Sequence, residues 1–177
     1  LEKYIKAIAT AAPNGTKVNV VWPNVPPMQS IPDFATASAA KKTALDLASK
    51  DFKTEQAAAA ARLRGMFANL NLRLVDVHQY FTDVVAGRVF DLAGLNVSTP
   101  ILDFNSFSGL GFSPTRNAAV PNGADPDSYI FWDKVHPTAR FHDLIGELAQ
   151  NAIPTPGVVV LVGVASVYAG QRRRRAA

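Results

Sequence analysis

The chain has 177 residues, enough for one domain with a sizeable core, and its 48% apolar and 18% charged residues mark it as globular rather than disordered. The formal net charge of +4 comes from one end: four of the eighteen basic residues are Arg172 to Arg175, and without them fourteen basic residues balance fourteen acidic ones. A neutral body argues against a nucleic-acid-binding face, and the lack of cysteine excludes disulfides and thiol chemistry while leaving the compartment open.

Leu1 falls directly into a helical pattern and no initiating Met precedes it, so the chain reads as cut from a larger protein. Leu1, Tyr4, Ile5 and Ile8 share one face of a helix over 1–12, which Pro13-Asn14-Gly15 stops. Val18, Val20 and Val21 then give a β-branched run over 17–22, expected as a buried strand. Helix, tight turn and strand make one step of a parallel α/β sheet. Pro23 to Pro32 holds four prolines and is an irregular loop at the strand's carboxyl end, the edge where ligands of open α/β sheets gather. Asn24 and Met28 are its candidate substrate-lining residues, against the alternative of a purely structural loop.

Thr36 to Leu70 is rich in strong helix formers and has no interior proline, so one long helix is expected, or two joined near Ser49 to Lys53. Leu45, Ala48, Phe52, Gln56, Ala59, Leu63 and Met66 or Phe67 sketch its buried side. A second strand over 72–77 follows, with Asp76 or His78 expected to cap a helix from Gln79 to Ala86. Val89 to Ser128 is broken by glycine and proline and studded with apolar residues. It is either a segment covering the substrate or a packed loop with no such role. No internal repeat is visible at solenoid periods.

The chemistry is concentrated in Tyr129 to Ala149. Asp133 stands three residues before His136, Pro137 stiffens the backbone, and Leu144, Ile145, Leu148 and Ala152 recur at helical spacing. Pro137 is favoured at a first helical position and Thr138 is a second possible cap, so His136 is placed at the mouth of a helix. An imidazole acts as a general base near neutral pH, and does so best when a carboxylate bonds its other ring nitrogen. Asp-x-x-His lets one short peptide supply both groups. A metal site from Asp133, His136, His142 and Asp143 is the competing arrangement, and no His-Glu-x-x-His pattern or cysteine supports it.

Phe131-Trp132-Asp133-Lys134-Val135-His136-Pro137-Thr138 resembles the last sequence block of the SGNH, or GDSL, hydrolases, and is most similar to their lipase, phospholipase and haemolysin-like members. The resemblance implies a three-layer α/β/α fold with a flavodoxin-like parallel sheet, present here only in part. It also implies a Ser-His-Asp triad in which Asp133 orients and His136 acts as base and then acid. It calls for no metal or organic cofactor. The family takes its serine from a Gly-Asp-Ser block and oxyanion donors from a glycine and a Gly-x-Asn block, and no Gly-Asp-Ser block occurs in the chain. The Gly-x-Ser-x-Gly elbow is missing too, and Ser106 and Ser108 lack the required context. Residues 1–152 are therefore expected to be the C-terminal part of such a domain, inactive on its own.

Ile153-Pro154-Thr155-Pro156-Gly157 leads into thirteen uncharged residues, Val158 to Gly170, and then the arginines. As a helix that run reaches roughly 20 Å at about 1.5 Å per residue, short of a hydrocarbon core of about 30 Å. Residues 153–177 resemble the PEP-CTERM sorting signals of exported bacterial proteins, with Thr155 where the commonest form has Glu. That resemblance implies export to the cell envelope, transient membrane contact through 158–175 and removal by a dedicated sorting protease. The alternative is a last strand over 158–164 with a basic end. The expected function is an ester hydrolase acting on lipid esters or on acetyl groups of polysaccharide. The alternative is a non-catalytic exported surface-binding protein on the same scaffold.

Overall fold

A computed structural model of the chain describes residues 1–89, 92, 94–103 and 115–153. The expected sorting tail, Ile153 apart, and the serines at 106 and 108 lie outside the described residues. What is described mixes helix and strand around a small parallel sheet. Among the described residues, no helix is long and apolar enough to cross a membrane.

The first helix, α1 (Glu2–Ala11), ends before the Pro13 turn, where Gly15 takes φ 81°, a conformation that suits a residue without Cβ. Its buried residues are Ile5 and Ala9, whereas Leu1, Tyr4 and Ile8 are exposed. The expected apolar face is therefore rotated, because only the Ile5 side meets the next layers. Strand β1 (Val18–Pro23) and strand β2 (Leu70–Val75) pair in parallel, Val18 opposite Leu70 and Trp22 opposite Leu74. The second strand thus lies two residues earlier than expected. Asp76 is withdrawn from it to cap α3 (Val77–Val85), its side chain accepting from the amide of Gln79 at 3.0 Å.

Between the strands runs one unbroken helix, α2 (Ala39–Met66), capped by Ser38. Ser49 does not break it. Its hydroxyl donates to the carbonyl of Leu45 at 2.8 Å and accepts the amide of Met28 at 3.0 Å, so it lies buried against the Pro-rich loop. Gln56 is buried for a similar reason, donating to the carbonyls of Trp22 and Pro23. Ala48 and Phe52, expected inside, are exposed. Gln56 was expected on the buried side, whereas Ser49, which closes backbone bonds, holds the place that helical spacing gave to Ala48.

One face of the sheet carries Val18, Val20 and Trp22 beside Leu70, Leu72 and Leu74, packed on Ile5 of α1 and on Ala60 and Leu63 of α2. The other face carries Asn19, whose side chain accepts from Asn71 at 2.7 Å, and exposed Arg73. The two edges differ. Val18 and Asn24 donate to Asn69 and Val75, so the odd-numbered carbonyls of β2 face β1 and that of Leu72 faces outward. Arg64 covers it, donating from Nε at 2.9 Å and from a terminal nitrogen at 2.7 Å. Among the described residues, the outward groups of Asn19 and Val21 on β1 have no partner.

A second core joins Phe81 and Val84 of α3, Phe141 and Leu144 of α4 (Ala139–Asn151), Ile31, Leu92, Ile130 and Phe131. Phe81 meets Phe141 edge to face at 5.7 Å between centroids, a favoured aromatic geometry. Two two-residue strands, β3 (Leu102–Asp103) and β4 (Thr115–Arg116), pair antiparallel. In chain order this core brings α3 and α4 under the segment 129–137.

Candidate active site

The segment from Tyr129 to Thr138 is built before its chemistry is. Ile130 and Phe131 are buried in the second core, and the amides of Ile101 and Leu102 donate to the carbonyls of Phe131 and Trp132 at 3.1 and 2.8 Å. Phe131 then bridges Pro137 in antiparallel fashion, and the amide of Trp132 donates to the carbonyl of His136 at 2.8 Å. The loop between is a tight reversal with Asp133, Lys134 and Val135 at its tip.

Thr138, not Pro137, begins the helix. Its hydroxyl donates to the carbonyl of Tyr129 at 2.8 Å and lies 3.4 Å from the amide of Phe141, which it accepts. Pro137 precedes the cap because its backbone is committed to the bridge with Phe131. His136 still opens onto the helix mouth. Of the expected stripe on α4, Leu144 is fully buried, Ile145, Leu148 and Ala152 are half-buried, and Phe141 joins them from within the first turn.

Within the reversal Asp133 and His136 meet. Asp133 Oδ1 accepts the amides of Val135 at 2.7 Å and His136 at 2.6 Å, while Oδ2 lies 2.8 Å from His136 Nδ1. The carboxylate side chain is 9% exposed and the imidazole 72% exposed. Burial works to raise the Asp133 pKa and is the largest effect. The amide of His136, the amide of Val135 and the imidazole oppose it, and together they hold the carboxyl below its usual value. An ionised carboxylate only accepts, so the proton of the pair belongs on Nδ1 and the neutral ring keeps a bare Nε2. Among the described residues, no serine hydroxyl hydrogen-bonds to the ring.

The loop is tied from two further directions. The amide of Asp33, in the Pro-rich loop, donates to the carbonyl of Lys134 at 3.0 Å, and Lys134 Nζ pairs with Asp103 Oδ1 at 3.0 Å. Sequence reasoning gave neither tie, since each joins segments far apart in the chain without a motif.

Asn24 and Met28 sit elsewhere in the web. Asn24 is buried; its Nδ2 donates to Asp76 Oδ1 at 2.9 Å and its Oδ1 accepts the amide of His78 at 2.8 Å. Both ends of its carboxamide therefore join β1 to the start of α3. Met28 is half-buried against the second core. His142 and Asp143 are exposed on α4, and among the described residues no three His, Cys, Asp or Glu side chains are grouped to hold a metal ion.

Compared with known proteins, the chain matches no family model and no curated protein sequence.

Proposed function

We propose that the chain carries the acid–base half of a serine ester hydrolase of the SGNH type, its strands and helices forming part of a three-layer α/β/α domain. The observation that supports this is the 2.8 Å contact of Asp133 Oδ2 with His136 Nδ1 beneath an exposed ring. A buried carboxylate that fixes the tautomer of an imidazole open to solvent is the arrangement a general base needs.

In this reading a serine outside 1–177 supplies the nucleophile. Its Oγ attacks the ester carbonyl carbon as Nε2 of His136 takes the hydroxyl proton. The tetrahedral intermediate collapses, the carbon–oxygen bond to the alcohol breaks, and the imidazolium returns that proton to the leaving oxygen. Water then repeats the sequence on the acyl-enzyme and releases the acid. Asp133 stays ionised throughout and holds the ring. The Pro154-Thr155-Pro156 segment and Arg172 to Arg175 support export to the cell envelope and cleavage by a sorting protease.

The test is hydrolysis of a chromogenic short-chain ester. The protein encoded by the intact gene turns it over, His136→Ala stops it, and a fluorophosphonate labels one serine upstream of Leu1. The 1–177 chain leaves the ester intact. An intact gene product that neither hydrolyses the ester nor takes the label would make the pair a structural one, on a binding protein.

A further inference from the structure

The helix α1 is apolar over a wider arc than its neighbours cover. At about 100° per residue, Glu2 lies on one side of Ile5, and Leu1, Ile8 and Tyr4 lie on the other. Glu2 reaches across to Arg62 of α2 at 3.4 Å, and Ile5 and Ala9 are buried. Leu1, Tyr4 and Ile8 remain 65%, 68% and 54% exposed. The helix α1 packs chiefly on β1 and α2 on β2, both on one face of the sheet. The uncovered arc of α1 therefore points away from α2, over the outer flank of β1. On that flank the backbone of Asn19 and Val21 has no partner among the described residues. An apolar helix side and an open strand edge thus share one neighbour.

We infer that a strand from the segment N-terminal to Leu1 pairs in parallel with the outer edge of β1 and packs apolar side chains under Leu1, Tyr4 and Ile8, with α1 as the crossover that joins it to β1. Handedness fixes the place. Crossovers between parallel strands are right-handed in nearly all sheets. By that rule β1, α2 and β2 make one such crossover, and α1 lies on the same face as α2. A right-handed crossover on this face that ends at β1 must start on the flank opposite β2. Pro23 has no N–H, so the outward donors of β1 are those of Asn19 and Val21.

A second copy does not fit the same place. Two β1 strands paired across a two-fold axis run antiparallel and bring both α1 helices to one face. Strands about 4.8 Å apart would hold those helices at a similar spacing, short of the roughly 8–10 Å at which helices pack. None of this uses the Asp133–His136 pair, so the strand stands or falls apart from ester hydrolysis.

The test places photoreactive benzoylphenylalanine at position 4 or position 8 of the intact protein. Position 3, exposed on the solvent side of α1, is the control. Irradiation joins positions 4 and 8 to peptides N-terminal to Leu1, and position 3 to none. Hydrogen exchange of the same protein reads the edge. The amides of Asn19 and Val21 exchange at least about a hundredfold more slowly than in an unstructured chain, as do those of Val20 and Trp22, which face β2. Links from position 4 or 8 to Val158 to Val164, or to a second copy of the chain, overturn the inference. So does the absence of any link at both positions, and so do amides at 19 and 21 that exchange at unstructured rates.

Discussion

Asp133 and His136 are bonded twice, once through the ring at Nδ1 and once through the backbone amide at 2.6 Å. The amide bond fixes where the residue sits and the ring bond fixes how its side chain turns. Asp133→Asn separates the two. The carboxamide oxygen still accepts the amides of Val135 and His136, but its NH₂ group faces Nδ1 and shifts the ring proton to Nε2. On the proposed hydrolase reading, ester hydrolysis by the intact protein falls by about 10⁴-fold. Loss of the charge costs stability by about 1 kcal/mol, measured by urea titration.

The same carboxylate makes stability depend on acid. Its folded pKa is below the unfolded value of about 3.9. A depressed carboxyl contributes stability that is fully present above the unfolded pKa and is lost as pH falls through the folded one. The Asp133 contribution to the melting-temperature gap between wild type and Asp133→Asn is therefore lost as pH falls below about 4.

Asn24→Ala unfastens β1 from α3 and leaves Asp76 and the amide of His78 each one partner short. It lowers stability by about 1–3 kcal/mol. The Asp76 pKa, which burial pushes up and the Asn24 carboxamide and Lys53 pull down below its usual value, rises in the variant. Carboxyl chemical shifts followed through a pH titration measure it.

Thr138→Ala removes the cap of α4 and the bond to Tyr129 together, a loss of about 1–2 kcal/mol. Thr138→Ser, which keeps the oxygen, recovers most of it. The amide of Phe141 exchanges with deuterium faster in the alanine variant and near the wild-type rate in the serine one.

The pairing at 133 and 136 was legible because its two members are three residues apart, so local chain geometry brings them together. The β-branched run at 18–21 and the proline stop at 13 were legible on the same grounds. The burial of Gln56 was legible from helical spacing, and that of Ser49 was not. Ser49 is buried by a bond to a loop more than twenty residues away, and apolar periodicity carries no sign of such a bond. Asn24 was singled out for its place at the end of a strand, and the structure assigns its carboxamide to neighbours that the sequence does not name. The exposed side of α1 escaped for another reason: periodicity finds an apolar stripe but does not tell which part of it another element covers.

The guanidinium of Arg64 satisfies one carbonyl, that of Leu72, on one flank of the sheet, while on the other the outward groups of Asn19 and Val21 have no partner among the described residues. The outward backbone of Leu74, next along β2, likewise has no partner among the described residues. Among the described residues, each flank of the two-stranded sheet thus leaves strand backbone open, so neither is closed against a further strand of the same sheet.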